Sequence, residues 1–265
     1  MTHSLNLTEA RDFLILLIRQ AGAKLHLSYT SSRLRTRSKG KFDFATQADD
    51  EVDAFLREKI GRVYPSTTFL TEETAPSDYS SLVSASDLWV IDPLDGTVNF
   101  PRRDPNFAIS IAFVQKGVPV LGVIYFPMLD ELFWAQAGEP HAYRNGKPIH
   151  VSHVSKFSET ILMTDWSWDP EKRPLVTEIL SRAVTQLRYV KISGSAVYGL
   201  TRVAMGAADA YVCPAVKPWD VAAAGFVVAK AGGKVSTFVG EPMYVFAPDF
   251  LATNRLLHHR MQRML

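Results

Sequence analysis

The chain is 265 residues long, 47% of them hydrophobic and 21% charged, a globular composition with enough apolar side chains for one large domain or two lobes on a shared interface. Its net charge of +2 is too small for long-range attraction to nucleic acid or to an anionic membrane, so any basic site must be local. The single cysteine, Cys213, excludes an intramolecular disulfide and fits a reducing compartment, with the cytoplasm as the expected location.

Near the N-terminus the apolar run 13–18, bounded by Arg11-Asp12 and Arg19-Gln20, is too short to cross a bilayer. No small-residue cleavage site follows a charged head, so the chain is read as mature from its start. Apolar positions at helical spacing predict a helix over residues 8–27, with Thr8 as its cap. Residues 31–41 carry Arg33, Arg35, Arg37, Lys39 and Lys41 with almost nothing to bury, which predicts a mobile loop. Thr46-Gln47-Ala48-Asp49 has the form of a capping box. Ala48, Val52, Phe55, Leu56 and Ile60 then mark the buried face of a second helix.

Residues 67–70 and 88–91 are short apolar runs suited to strands, and both end at acids. Residues 107–114 and 118–126 are rich in Ile, Val, Phe and Tyr with Lys116-Gly117 between them, so they are expected to pair antiparallel, and 132–134 continues the pattern. Asn145-Gly146 marks a tight hairpin. Beyond Val151 the pattern alternates: strand 160–163, helix 171–186, a strand near Tyr189, helix 195–205, strand 210–213 and helix 221–231. Helices alternating with strands predict a layered α/β half packed against the first half, with a cleft between the two.

Leu88-Trp89-Val90-Ile91-Asp92-Pro93-Leu94-Asp95-Gly96-Thr97-Val98-Asn99-Phe100 is the most informative segment. An apolar strand ends in two carboxylates three positions apart, with a proline and a glycine that bend the chain. Paired carboxylates repel one another unless a cation sits between them, and oxygen-only ligands suit a hard ion such as magnesium. The N–H groups of Gly96 and Thr97 are placed to hold a phosphate, as a turn or helix start does. Taken alone, the segment reads equally well as an ordinary turn capped by Asp92. Glu72 and Glu73 after a preceding strand, and Asp220 at the start of an apolar helix, read singly as a solvated loop and a helix N-cap. Five acids at element ends are harder to dismiss together.

Asp43-Phe44-Ala45-Thr46-Gln47-Ala48-Asp49, Thr71-Glu72-Glu73, the run from Trp89 to Phe100, Gly194-Ser195-Ala196, Lys217-Pro218-Trp219-Asp220-Val221-Ala222-Ala223 and Ala231-Gly232-Gly233 stand in the order and spacing of the inositol monophosphatase family, which this chain resembles over most of its length. The resemblance implies an α/β (α+β) fold, a layered αβαβα sandwich of the inositol monophosphatase / fructose-1,6-bisphosphatase type. It implies a single catalytic domain over residues 1–265, with lobes of about 1–150 and 151–265 enclosing the active site, and a homodimer. It also implies two or three magnesium ions. Glu72, Asp92 and the backbone carbonyl of Leu94 match the ligands of one, and Asp92, Asp95 and Asp220 those of a second, while Glu72 also helps hold a weaker third. Thr97, hydrogen-bonded to Asp49, matches the hydroxyl that orients an attacking water near Glu72. Gly96 and Thr97 match phosphate contacts; Asp95, Gly194, Ser195, Ala196 and position 213 match substrate contacts.

The chemistry of the residues agrees. A phosphate monoester dianion repels an attacking hydroxide, and cations both neutralise it and lower the pKa of water. The basic segment has three readings: a solvated surface, a nucleic-acid contact, or the family's flap. The flap is favoured, because Lys39 and Lys41 precede Asp43 as the family's lysine does, and the run lacks the interleaved aromatics of a nucleic-acid site. Two positions depart from the family pattern. Cys213 stands where members acting on inositol phosphate carry a glutamate that contacts the sugar hydroxyls, and Val98 stands where many carry threonine. As a nucleophile Cys213 lacks a histidine partner, so a packed hydrophobe is the expectation; His150 and His153 are expected on the surface.

The resulting expectation is hydrolysis of a small phosphate monoester, inositol monophosphate first. Histidinol phosphate, fructose 1,6-bisphosphate, nucleotide 3′-phosphates and other polyol phosphates are rivals. No nucleic-acid or membrane partner is expected. A catalytically silent phospho-ligand or nucleic-acid binding protein is the rival of another class, and the presence of all four metal acids speaks against it.

Overall fold

The computed structural model describes residues 5–31, 36–38, 44–242 and 245–265. The chain runs α1 (Leu7–Thr30), a short antiparallel pair β1 (Thr36–Ser38) and β2 (Phe44–Thr46), and α2 (Gln47–Val63). Seven strands follow and pair in sequence order: β3 (Thr68–Thr71), β4 (Leu88–Asp95), β5 (Ala108–Gln115), β6 (Val118–Phe126), β7 (Glu131–Gln136), β8 (Ala142–Arg144) and β9 (Lys147–Ile149). Only β3 and β4 run parallel.

The remainder comprises β10 (Ile161–Thr164), α3 (Arg173–Ala183), β11 (Tyr189–Ile192), α4 (Ala196–Ala204), β12 (Ala210–Cys213), α5 (Pro218–Lys230), β13 (Lys234–Ser236), β14 (Phe250–Thr253) and α6 (His258–Met264). Its five strands form a second sheet in the order β11-β10-β12-β14-β13.

The two-residue period of buried strands builds the layers. In β4, Leu88 and Val90 enter one apolar cluster while Trp89 and Ile91 enter another. In β5, Ala108 and Ala112 face the first cluster, Ile109, Ile111 and Phe113 the second. Both faces of the large sheet are therefore covered, by α1 and α2 on one side and by α4 and α5 on the other. Helix α5 buries Val221, Ala222, Ala223, Ala224, Val227 and Val228, because it lies between two sheets and an all-round apolar helix needs such a place. Beyond the small sheet α3 and α6 close a third cluster around Leu162, Ile179, Val212 and Met261. The order of layers is α, β, α, β, α, as expected.

Several local expectations are corrected. Helix α1 is capped by Asn6, whose side chain accepts from the N–H of Thr8 and Glu9 at 3.0 and 3.3 Å; the Thr8 hydroxyl instead accepts from Gln136 at 3.1 Å. Part of the expected loop over 31–41 is strand β1, exposed at all three residues. Helix α3 is shorter than 171–186. Pro174 suits its first turn, and at its end the Thr185 hydroxyl and the Gln186 amide both bond the Arg182 carbonyl. Helix α5 starts at Pro218, so Asp220 stands in the third helical position rather than at the cap, accepting from Lys217 N at 2.8 Å.

Candidate active site

A cavity of about 430 Å³ opens between the two sheets, and Glu72, Asp92, Asp95 and Asp220 all line it. Their approach follows from the chain. Thr71 pairs with Ile91 in the parallel β3–β4 ladder, and Glu72 N donates to the Ile91 carbonyl at 3.1 Å, which carries Glu72 to the side of Asp92. Strand β4 then loses register against β5 between Asp92 and Asp95. Pro93, with no N–H to lose, sits in that bulge, and Leu94 N closes on Asp92 Oδ1 at 3.0 Å. The turn that the bland reading anticipated is real, and it aims both carboxylates into the cavity lining. Helix α5 brings Asp220 from the other side.

Gly96 turns the chain at φ +91°, where a Cβ would stand 2.9 Å from the Asn106 carbonyl, so only glycine fits. Thr97 Oγ1 lies 3.1 Å from the Leu94 carbonyl and 3.5 Å from Asp49 Oδ1. Asp49 completes the capping box of α2: its Oδ2 accepts from the Thr46 N–H at 2.8 Å and the Thr46 hydroxyl at 2.5 Å.

From the second sheet, Ser195 caps α4 by accepting from Tyr198 N at 3.0 Å while its hydroxyl donates to Asp95 Oδ2. Gly194, Ser195, Ala196 and Cys213 line the same cavity, so every expected substrate-side position is brought to it. Asp49 is reached through Thr97. Lys39, Lys41 and Asp43 lie outside the described residues. Of the basic segment, Arg37 is described, and its guanidinium pairs with Asp50 at 3.1 Å and with Glu73, the neighbour of Glu72, at 3.2 Å.

The electrostatics are those of crowded acids. Burial, then the charges of Glu72, Asp95 and Asp220, pushes Asp92 well above the usual carboxylate range. Burial pushes Asp95 up as well, opposed by the Ser195 hydroxyl. Burial lifts Asp220 and Asp49 each to about 7. The Cys213 thiol, buried and donating to the Ala215 carbonyl at 3.2 Å, is pushed up to about 12, which suits a packed side chain and not a thiolate. His150 and His153 are exposed, as expected. Among the described residues no three His, Cys, Asp or Glu side chains stand in the arrangement of an already formed ion site.

Sequence reasoning missed a buried brace behind the site. Asp165 Oδ1 accepts from the N–H of Ser193 at 3.1 Å and of Gly194 at 2.6 Å, and Oδ2 accepts from the Tyr211 hydroxyl at 3.3 Å. Asn99 Nδ2 donates to the carbonyls of Asn106 at 2.7 Å and Ser193 at 2.9 Å. Gly194, at φ +71°, leaves no room for a Cβ beside Val98 and Asn99. The signal for Asp165 was available: an acid just past a strand, the pattern that marked Glu72 and Asp92.

The five alternating layers are those of the inositol monophosphatase / fructose-1,6-bisphosphatase type. The model of the inositol monophosphatase family matches residues 6–264, and the chain belongs to that family. It is 31% identical over 254 residues to the fructose-1,6-bisphosphatase/inositol-1-monophosphatase of Thermotoga maritima, covering 96% of this chain and 94% of that protein. It is 34% identical over 239 residues to the Nus factor SuhB of Escherichia coli K12, covering 89% and 88%. The inositol monophosphatase structure from Anabaena superposes with a TM-score of 0.84 at 32% identity, over 98% of this chain and 96% of that one. The family is one of generally metal-dependent phosphatases with small phosphorylated substrates, and membership supports a phosphatase activity for this chain. No helix among the described residues is long and apolar enough to cross a membrane.

Proposed function

We propose that the chain is a magnesium-dependent phosphomonoesterase that hydrolyses a small monoester by direct attack of water. Inositol monophosphate is the first substrate to test, and histidinol phosphate, fructose 1,6-bisphosphate, nucleotide 3′-phosphates and other polyol phosphates are the alternatives. One observation carries the reading: Glu72, Asp92, Asp95 and Asp220 line one cavity though distant in sequence, and burial, then the charges of Glu72, Asp95 and Asp220, raises the proton affinity of Asp92. Such a cluster fits a hard divalent cation, because its donors are all oxygen and its mutual repulsion is relieved by positive charge.

In this reading Glu72, Asp92 and the Leu94 carbonyl hold one ion, Asp92, Asp95 and Asp220 a second, and Glu72 assists a third. Bound magnesium supplies neutralisation of the phosphate and a lowered pKa of water. The chain's own residues then place the reactants. The Thr97 hydroxyl lies between two acceptors, the Leu94 carbonyl and Asp49 Oδ1; donating to Asp49 leaves its lone pairs to accept from the attacking water. Glu72 takes the water's proton. The N–H groups of Gly96 and Thr97 hold phosphate oxygens. The water oxygen bonds phosphorus as the bond to the alcohol oxygen breaks, and the departing alkoxide takes a proton from solvent water.

Asp95, Gly194, Ser195, Ala196 and Cys213 border the alcohol, and Lys39 and Lys41 act as a flap. The chain works as one catalytic domain of two lobes, in a cytoplasmic homodimer. The test is phosphate release from a panel of monoesters with and without magnesium. Activity abolished by chelator and nearly lost in Asp95→Asn supports the proposal; turnover that persists in either case overturns it.

A further inference from the structure

The lining of the cavity is apolar as well as acidic. Besides the acids it includes Val98, Trp166, Trp168 and Ile192, with Arg173 and the buried Cys213. Both tryptophans are open to solvent, at 42% and 47%, whereas Ser167 between them is 1% exposed. The buried serine turns inward and accepts from Asp169 N at 3.1 Å, so the fold itself holds the two indoles outward. Their position is set as well. Thr164 pairs with Ile192 across β10 and β11, and Asp165 clamps the amides of Ser193 and Gly194, which fixes the two strand ends near which Trp166 and Ile192 line the cavity. The Val98 side chain reaches the same strip at Gly194. The Arg173 guanidinium stands 5.6 Å from the Trp166 ring centroid, a cation–π contact that restrains that ring.

Large exposed aromatics gathered at the mouth of a cavity mark a contact surface. A polyhydroxylated alcohol needs a hydrogen-bond partner for each hydroxyl it buries, and an unpaired one is costly. Here Asp165 already accepts three bonds, from Ser193, Gly194 and the Tyr211 hydroxyl, and the Ser195 hydroxyl both donates to Asp95 and accepts from Tyr198. The Cys213 thiol already donates to Ala215. Indoles, in contrast, recognise any planar ring by stacking.

We propose that Trp166 and Trp168, with Ile192 and Val98, form a subsite for a planar aromatic ring carried by the alcohol part of the substrate, so that aryl or nucleoside monophosphates are preferred to inositol or glycerol phosphates. This rests on the phosphomonoesterase reading above and names the substrate class of the same site. The experiment compares kcat/KM with magnesium for 1-naphthyl phosphate, adenosine 2′- and 3′-monophosphate, inositol 1-phosphate and glycerol 2-phosphate. At least one aromatic ester should exceed inositol 1-phosphate by about tenfold or more, and which of them does so separates an aryl from a nucleoside source. In Trp166→Ala and Trp168→Ala the ratio of that aromatic ester to glycerol 2-phosphate should fall several-fold, and Trp166→Phe and Trp168→Phe should restore most of it. Equal or greater turnover of inositol 1-phosphate, or alanine variants that leave the ratio unchanged, would overturn the subsite while the phosphatase reading stands. Failure to hydrolyse any of the five esters would instead remove the reading beneath it.

Discussion

Asp165 offers a prediction whose size can be worked from its three partners. It holds two backbone N–H groups and the Tyr211 hydroxyl, and burial raises its carboxyl to about 6. In Asp165→Asn the amide oxygen still accepts both N–H groups, and the amide nitrogen can donate to the Tyr211 oxygen. In Asp165→Ala three donors lose their acceptor, at about 1–3 kcal/mol each when no water replaces it. Because the residue borders a cavity that admits water, the low end applies, and the alanine variant should be about 3 kcal/mol less stable than the asparagine variant.

That difference corresponds to roughly 6–12 °C in Tm for a chain of this size. The comparison with wild type depends on pH. A carboxyl raised in the folded state makes the native form hold its proton more tightly, so stability falls as pH rises from the ordinary value through about 6. Asp165→Asn lacks this dependence and should match or exceed wild type at pH 7.5, with any advantage vanishing below pH 4. Urea denaturation of the three proteins at both pH values is the assay. Alanine and asparagine variants within about 1 kcal/mol of each other at pH 7.5 would refute the brace.

His258 gives a second pH dependence, of opposite sign. Its ring nitrogens lie 2.9 Å from the Ser236 and 3.0 Å from the Thr253 hydroxyls, and burial, with Lys234 and Arg255 nearby, lowers it from 6.5 to about 4. The native state therefore keeps the ring neutral: stability is full above pH 6.5, has fallen by about 2 kcal/mol at pH 5, and goes on falling toward pH 4. Urea titrations at pH 7.5 and 5 should show this loss in wild type and a smaller one in His258→Gln. Cys213, with its thiol pushed up to about 12, should resist iodoacetamide in the native protein at pH 8 and react on unfolding, as read by mass spectrometry.

The segment from Trp89 to Phe100 was legible because its chemistry and its turn are written in consecutive residues: a strand, two acids, a proline and a glycine. The capping box at Thr46 and Asp49 and the hairpins at Lys116-Gly117 and Asn145-Gly146 were legible for the same reason, each being settled by neighbours in the chain. Helix ends were less so. Asn6 outcompetes Thr8 as a cap because the Thr8 hydroxyl is drawn to Gln136, a partner 128 positions away that no local pattern announces. The chain beyond Ala231 yielded no elements, yet it supplies β13, β14 and α6. Strands of three or four residues are too short to show a period; β14 takes its place in the sheet from β12 alongside, and β13 from β14. Asp165 and the two tryptophans after it have no fixed spacing to the other site residues. Their place in the cavity lining is set only once β10 and β11 pair and the Ser193–Ser195 turn closes on Asp165.

The central claim, that acids distant in sequence share a divalent cation, is tested most directly by calorimetric titration of magnesium, and of manganese as a tighter-binding probe, into the chelator-treated protein. In the proposed arrangement Asp92 would hold both principal ions and Asp220 one. The account predicts saturable binding in wild type, its near-complete loss in Asp92→Asn and loss of one class of sites in Asp220→Asn, with both variants folded by circular dichroism. Wild-type affinity in Asp92→Asn, or no binding by the folded wild-type protein at millimolar metal, would contradict it.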